Sequence, residues 1–148
     1  MAVTLRREVI VEAGVGEILD VMLDLESLPQ WSPAHRSSEV LERDDRGRPV
    51  RSRATVQTVG ITDETEIALT YHDDGYSWTL VSSTWQRSQD ARYTLVPQGD
   101  RTLVRFEVTV DPVMPMPGFM LKRAAKGVID TATDGLRTRV LAVRKRGK

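Results

Sequence analysis

The chain has 148 residues, with 21 Lys plus Arg against 21 Asp plus Glu and no cysteine. One core suits that length, and neither a disulfide nor a metal is needed to hold it together. Balanced charge gives no general electrostatic case for nucleic acid or an anionic membrane, and the missing thiols exclude a disulfide framework, thiolate catalysis and cysteine-ligated zinc.

The first residues carry no long apolar core behind a basic stretch, and no run approaches the roughly 20 apolar residues of a membrane helix. One cytoplasmic domain over residues 1–148 is therefore expected. In chain order, residues 4–11 are rich in β-branched side chains and predict a strand, broken by Gly14 and Gly16. Ile18, Leu19, Met22 and Leu23 then recur at helical spacing, with Asp20 and Asp24 turned outward. Residues 25–31 predict a second short helical turn, stopped by Pro29 and Pro33.

From Ser37 the period changes to two. Strands are predicted over residues 39–43, 50–59 and 62–71, with Asp44-Asp45-Arg46-Gly47 and Gly60 at the turns. Asp73-Asp74-Gly75 is a hairpin signal. Beyond it Tyr76, Trp78 and Leu80 alternate with Ser77, Thr79 and Val81. After a loop over residues 84–87, Ala91, Tyr93 and Leu95 alternate with Asp90, Arg92 and Thr94. Following the tight turn Gln98-Gly99-Asp100, Val104, Phe106, Val108 and Val110 share one face. Hairpin-length connections make neighbouring strands antiparallel, and a single apolar face means a sheet covered on one side.

Three prolines, Pro112, Pro115 and Pro117, keep residues 111–118 out of any helix or strand interior. A long final helix is predicted over residues 117–144. At about 1.5 Å per residue it runs about 42 Å, enough to cross the sheet from end to end. Leu121, Ala124, Ala125, Val128, Thr131, Ala132, Gly135 and Leu136 fall on one side of its wheel.

Several stretches resemble one family. Glu8-Val9-Ile10-Val11-Glu12-Ala13 is similar to the opening strand of the START-related lipid-transfer superfamily. The Asp24, Pro29, Trp31 and Pro33 spacing resembles its "D, four or five residues, P, x, W, x, P" element. Tyr93-Thr94-Leu95-Val96-Pro97, then Gly99 to Val104, resembles its penultimate hairpin, and Pro115-Met116-Pro117-Gly118-Phe119 its entry to the last helix. The branch most resembled is the bacterial polyketide cyclase/dehydrase-like group. Gly14 departs from the proline common after the first strand. The resemblance covers essentially the whole chain and implies an α+β helix-grip fold: a curved antiparallel sheet of about seven strands around a long C-terminal helix, with two short helices after the first strand. It implies binding of lipids, sterols, polyketides or hormones, with catalysis in a minority of members.

The inner stripe of the final helix is small where a tightly packed helix would carry Leu, Ile and Phe. Ala124 and Ala125 could bring helix and sheet close together, or they could roof a space. On the sheet, Ser52, Ala54 and Thr58 share a face with Val56, so small faces small. An empty space of about 300 Å³ would cost several kcal/mol if it could not collapse, so a space of that size implies water or a ligand. Trp31 and Trp85 lie near loops and suit an entrance. Trp78, Tyr76, Tyr93 and Phe106 suit either core packing or a wall. Met116, Phe119 and Met120, with Met114, surround the proline-rich segment. They either anchor the helix or form an adaptable lip, and the resemblance favours the lip. With Val128, these are the candidate ligand contacts.

No catalytic, phosphate-binding or dinucleotide motif appears, neither His35 nor His72 belongs to a metal pattern, and no cofactor is expected. His35, after Pro33, is a candidate ligand neighbour, and His72 a solvated hairpin residue. A pocket could still fold a poly-carbonyl chain for reaction, with Ser52, Tyr71, Tyr76, Tyr93, Arg92 or Arg53 as polar candidates. No pair stands out as acid and base. The basic end, from Arg137 and Arg139 to Arg144, Lys145, Arg146 and Lys148, is either a solvated tail or a contact for an acidic partner. Three functions remain: a carrier for a hydrophobic small molecule, a polyketide cyclase or dehydratase, and an interaction module without a ligand. Monomer and homodimer are both open.

Overall fold

Apolar alternation closes into seven strands: β1 (Val3–Val11), β2 (His35–Arg43), β3 (Pro49–Thr58), β4 (Ile61–His72), β5 (Gly75–Ser83), β6 (Gln86–Gln98) and β7 (Arg101–Pro112). They form one antiparallel sheet in the order β1-β7-β6-β5-β4-β3-β2. The helices are α1 (Val15–Leu23), α2 (Leu28–Trp31), α3 (Gly118–Asp130) and α4 (Leu136–Arg146), with a 3₁₀ turn at Leu25–Ser27. This computed structural model describes residues 2–58 and 60–146. The expected strand residue Val59 and the basic Lys148 lie outside them. The arrangement is the expected helix-grip fold.

Local differences from the expected boundaries have physical causes. Pro29 does not stop the second helix. It sits in the first turn of α2, where its missing N–H is not needed. Strand β2 begins at His35 because that segment already pairs with β3, His35 opposite Val56. The expected loop over residues 84–87 shrinks to the link between Ser83 and Gln86, whose donors are taken up by the Asp63 carboxylate. At the β4–β5 hairpin, Gly75 has φ 152°, and a Cβ there would meet the Tyr93 carbonyl oxygen at 2.0 Å. Only glycine lets β5 approach β6 that closely.

The final helix is continuous from α3 through α4, with a π turn at Thr131–Gly135 between them. Its cause is readable in the spacing of buried residues. Ala132, Leu136 and Val140 are 8%, 0% and 1% exposed and recur every four residues. An α-helix turns 3.6 residues per turn, so such a row would drift around the axis, and one wider turn restores the phase.

The two halves of this helix do different things. Helix α4 packs against α1 and β1, where Val11, Ile18, Leu136 and Val140 are all at most 1% exposed. Each such side chain contributes about 1.5–3 kcal/mol by leaving water. The Arg137 guanidinium pairs with Glu12, and Arg144 donates to the Glu12 carbonyl at 2.6 Å and approaches Glu17 at 3.4 Å. Much of the basic end therefore binds its own chain. By contrast, α3 has no buried residue at all.

A cavity beneath the roof helix

Inward-pointing positions of β3 to β7 face the unburied half of the roof across a cavity of about 300 Å³. Left dry, that volume would cost about 7 kcal/mol at 24 cal/mol per Å³, as large as the whole net stability of many domains. The wall is mainly apolar. From β3 come Ala54 and Val56, from β4 Ile67 and Leu69, from β7 Phe106 and Val108, and from α3 Leu121, Ala124, Ala125 and Val128. Val128 lines the cavity yet is 39% exposed, so the roof is open along α3.

An aromatic wall runs through the middle of the sheet. Tyr76 and Tyr93 lie opposite each other on β5 and β6 with ring centroids 5.5 Å apart. Tyr93 is 4.8 Å from Phe106, and Trp78 is 6.0 Å from Phe106. The Tyr93 hydroxyl donates to the Ala132 carbonyl at 2.8 Å.

Of the sequence candidates, Trp31, Ala54, Val56, Tyr76, Trp78, Trp85, Tyr93, Phe106, Met116, Ala124 and Val128 come together around this one space. Phe119 and Met120 do not. Phe119 is 71% exposed, and neither reaches the lining. With Leu121 turned inward, a helical step of about 100° per residue carries both of its predecessors off that face. Gly135 is also absent from the lining, while Gly127 joins it.

The polar wall was less legible. Trp78 Nε1 donates to Gln89 Oε1 at 2.8 Å, Gln89 Nε2 to Gln86 Oε1 at 2.8 Å, and Gln86 Nε2 to Asp63 Oδ2 at 3.0 Å. Asp63 also accepts from the Ser83 hydroxyl at 2.8 Å and from the Thr84 and Trp85 amides at 2.9 and 3.3 Å. The carboxylate thereby fixes the turn that carries Trp85, whose indole donates to the Thr62 carbonyl at 2.9 Å. Alternation alone would have put Asp63 on the face of Thr65, Ile67 and Leu69, but a charged residue on that face invites the opposite reading. Gln86 and Gln89 have opposite parity. A register shift between Gln86 and Ser88 brings both to the cavity.

His35 lines the cavity with Ser32, its Nδ1 lying 2.7 Å from the Ser32 hydroxyl. Burial lowers its pKa from 6.5 to about 4, so the ring is neutral at pH 7. Tyr71, weighed as a polar candidate, donates to the Pro49 carbonyl at 2.5 Å, and burial pushes its phenol up to about 12. Arg92 pairs with Asp74 at 3.0 Å on the exposed face, and Arg53 is likewise exposed. His72, exposed, bonds the Ser77 hydroxyl at 2.8 Å. Among the described residues no group of three or more His, Cys, Asp and Glu could hold a metal, and no helix is long and apolar enough to cross a membrane.

A seven-stranded antiparallel sheet gripping a long C-terminal helix, with a cavity between them, defines the helix-grip class. The family described as "Polyketide cyclase / dehydrase and lipid transport" matches residues 11–137, and the chain belongs to it. Among solved structures it is similar to a START superfamily protein from Mycobacterium smegmatis, with 27% identity, TM-score 0.85, and 95% of this chain and 98% of that one covered. A protein from Thermus thermophilus shares 21% identity at TM-score 0.78, over 95% and 99% of the two chains. The Zhui aromatase/cyclase from a Streptomyces species shares the fold at 10% identity and TM-score 0.80, over 95% and 94%. No curated protein matches the chain in sequence.

Proposed function

We propose that this protein binds or carries a hydrophobic small molecule, of lipid, isoprenoid or polyketide-like character, between the sheet and the C-terminal helix. The observation that carries the reading is the 300 Å³ cavity with its largely apolar wall under a helix half that buries no side chain. Its volume falls in the range of small-molecule sites. Membership of a family described by polyketide cyclisation and lipid transport supports it. A cytoplasmic setting fits the cysteine-free composition. Native mass spectrometry of gently purified protein, with thermal shift against lipid extracts, tests the proposal. A retained mass or a raised midpoint is expected. No mass and no shift across lipids, sterols, isoprenoids and aromatic polyketides would overturn it.

A second reading, cyclisation or dehydration of a bound poly-carbonyl chain, draws on the Tyr76 hydroxyl and the His35 imidazole lining the same space. The cavity would supply proximity, and Tyr76 could polarise a carbonyl. An imidazole held at about 4 is a weak base at neutral pH, so binding stands first. Turnover of a poly-β-ketone thioester, lost in both Tyr76→Phe and His35→Asn, would reverse that order. A ligand-free interaction module would call for a collapsed interior, and the open cavity supports the other two readings instead.

A further inference from the structure

The buried polar side chains divide into two groups. Ser27, Ser32, Thr65, Thr102 and Thr133 each bond a neighbour within the chain, and Asp63 collects several donors. Tyr76 and Ser52, only 3% and 4% exposed, have no side-chain hydrogen bond to any described residue. No side-chain oxygen among the described residues is both fully sealed and unpartnered. Both residues line the cavity. Their hydroxyl oxygens therefore reach its free space, and each is left to whatever occupies it. The neighbouring tyrosines differ: Tyr93 and Tyr71 spend their hydroxyls on the carbonyls of Ala132 and Pro49.

The charges of the lining complete the picture. Among the described residues no lysine or arginine lines the cavity. The one carboxylate among its described lining residues, Asp63, is engaged by the turn that carries Trp85. An anionic head group entering this space would lose its hydration and meet no cation. A neutral oxygen would meet a phenol donor, and burial holds that phenol in its protonated form.

From this geometry we infer that the cavity selects an uncharged molecule bearing a carbonyl or hydroxyl oxygen, which pairs with the Tyr76 hydroxyl, with Ser52 as a second polar contact, and that it rejects carboxylates. This rests on the binding function proposed above and names the ligand class for the same cavity. The unpaired hydroxyls set the preference for an oxygen over a plain hydrocarbon. The absence of a lysine or arginine among the described lining residues sets the discrimination against an acid.

Decane, decanol and decanoate form a matched probe set. Trp31, Trp78 and Trp85 all line the cavity, so intrinsic tryptophan fluorescence reports binding. At about pH 8, where a free carboxylate is ionised, decanol should bind at least about tenfold tighter than decanoate. Tyr76→Phe should weaken decanol by about three- to tenfold and leave decane unchanged. Ser52→Ala, a smaller change to the wall, should also weaken decanol selectively, and the thermal midpoint of each variant reports folding. Decanoate binding as tightly as decanol would overturn the inference. So would an alcohol-over-alkane preference that survives both substitutions. Binding of decane with no preference for decanol would sink this inference alone, whereas no binding of any probe to the unaltered protein would sink the cavity reading beneath it.

Discussion

The Tyr93 hydroxyl donates to the carbonyl of Ala132 across 2.8 Å, tying the middle of the sheet to the π turn of the roof helix. The bond is buried and joins residues far apart in sequence, so it helps fix how far the helix stands from the sheet. Tyr93→Phe should lower stability by about 1–2 kcal/mol in urea unfolding. Amide exchange across residues 131–136 should accelerate more than in β7. Unchanged exchange there would mean that packing alone holds the roof.

Asp63 organises the β5–β6 turn through the Thr84 and Trp85 amides and the Gln86 side chain. Asp63→Ala strips an acceptor from all of them and should cost about 2–3 kcal/mol. Asp63→Asn, which keeps one acceptor oxygen, should cost less. Hydrogen exchange at residues 84–86 distinguishes a local loosening, the expected result, from global unfolding.

His35 gives stability a pH dependence whose sign is fixed. Its folded pKa, about 4, lies below the ordinary 6.5, and burial is the cause. The unfolded chain therefore takes up the proton first as pH falls. Stability is at its full value above about 6.5, declines between about 6.5 and about 4, and flattens below, with a total loss of up to about 3 kcal/mol. Urea midpoints measured across that window should fall for the native sequence. The fall should be smaller in His35→Asn, which removes this group from the titration. Equal slopes would show that the ring is solvated.

Ala125 lines the cavity from α3. Leucine there would extend into free space, so Ala125→Leu should raise the thermal midpoint of the unliganded protein, by about 1–2 kcal/mol of added apolar burial. The same change should weaken ligand retention in native mass spectrometry. A lowered midpoint would mean that helix and sheet already touch at this point.

The order of elements was legible because each signal is local. Alternation in β7 placed Val104, Phe106 and Val108 on the core face, and all three are buried there. The hairpin at Asp73-Asp74-Gly75 was readable from turn chemistry, although the reason for its glycine, the Tyr93 carbonyl 2.0 Å from a Cβ, lies on another strand. Phe119 and Met120 were misjudged because nearness in sequence to Met116 says nothing about the side of a helix on which they fall. Gln86 and Gln89 were hidden behind a register shift that parity cannot anticipate.

Composition and periodicity, by themselves, determined a cysteine-free chain of balanced charge, strands with one apolar face, and a long final helix whose inner stripe is small. These are properties of neighbouring residues, and the spacing of side chains along a backbone follows from its pitch. Whether Ala124 and Ala125 meet the sheet or stand off it depends on distances between segments many residues apart. Only the tertiary structure decided that. It set the two halves of the helix apart, α4 packed on Val11 and Ile18 and α3 raised over open volume, and it left the Tyr76 hydroxyl facing that volume while Tyr93 bonds the roof.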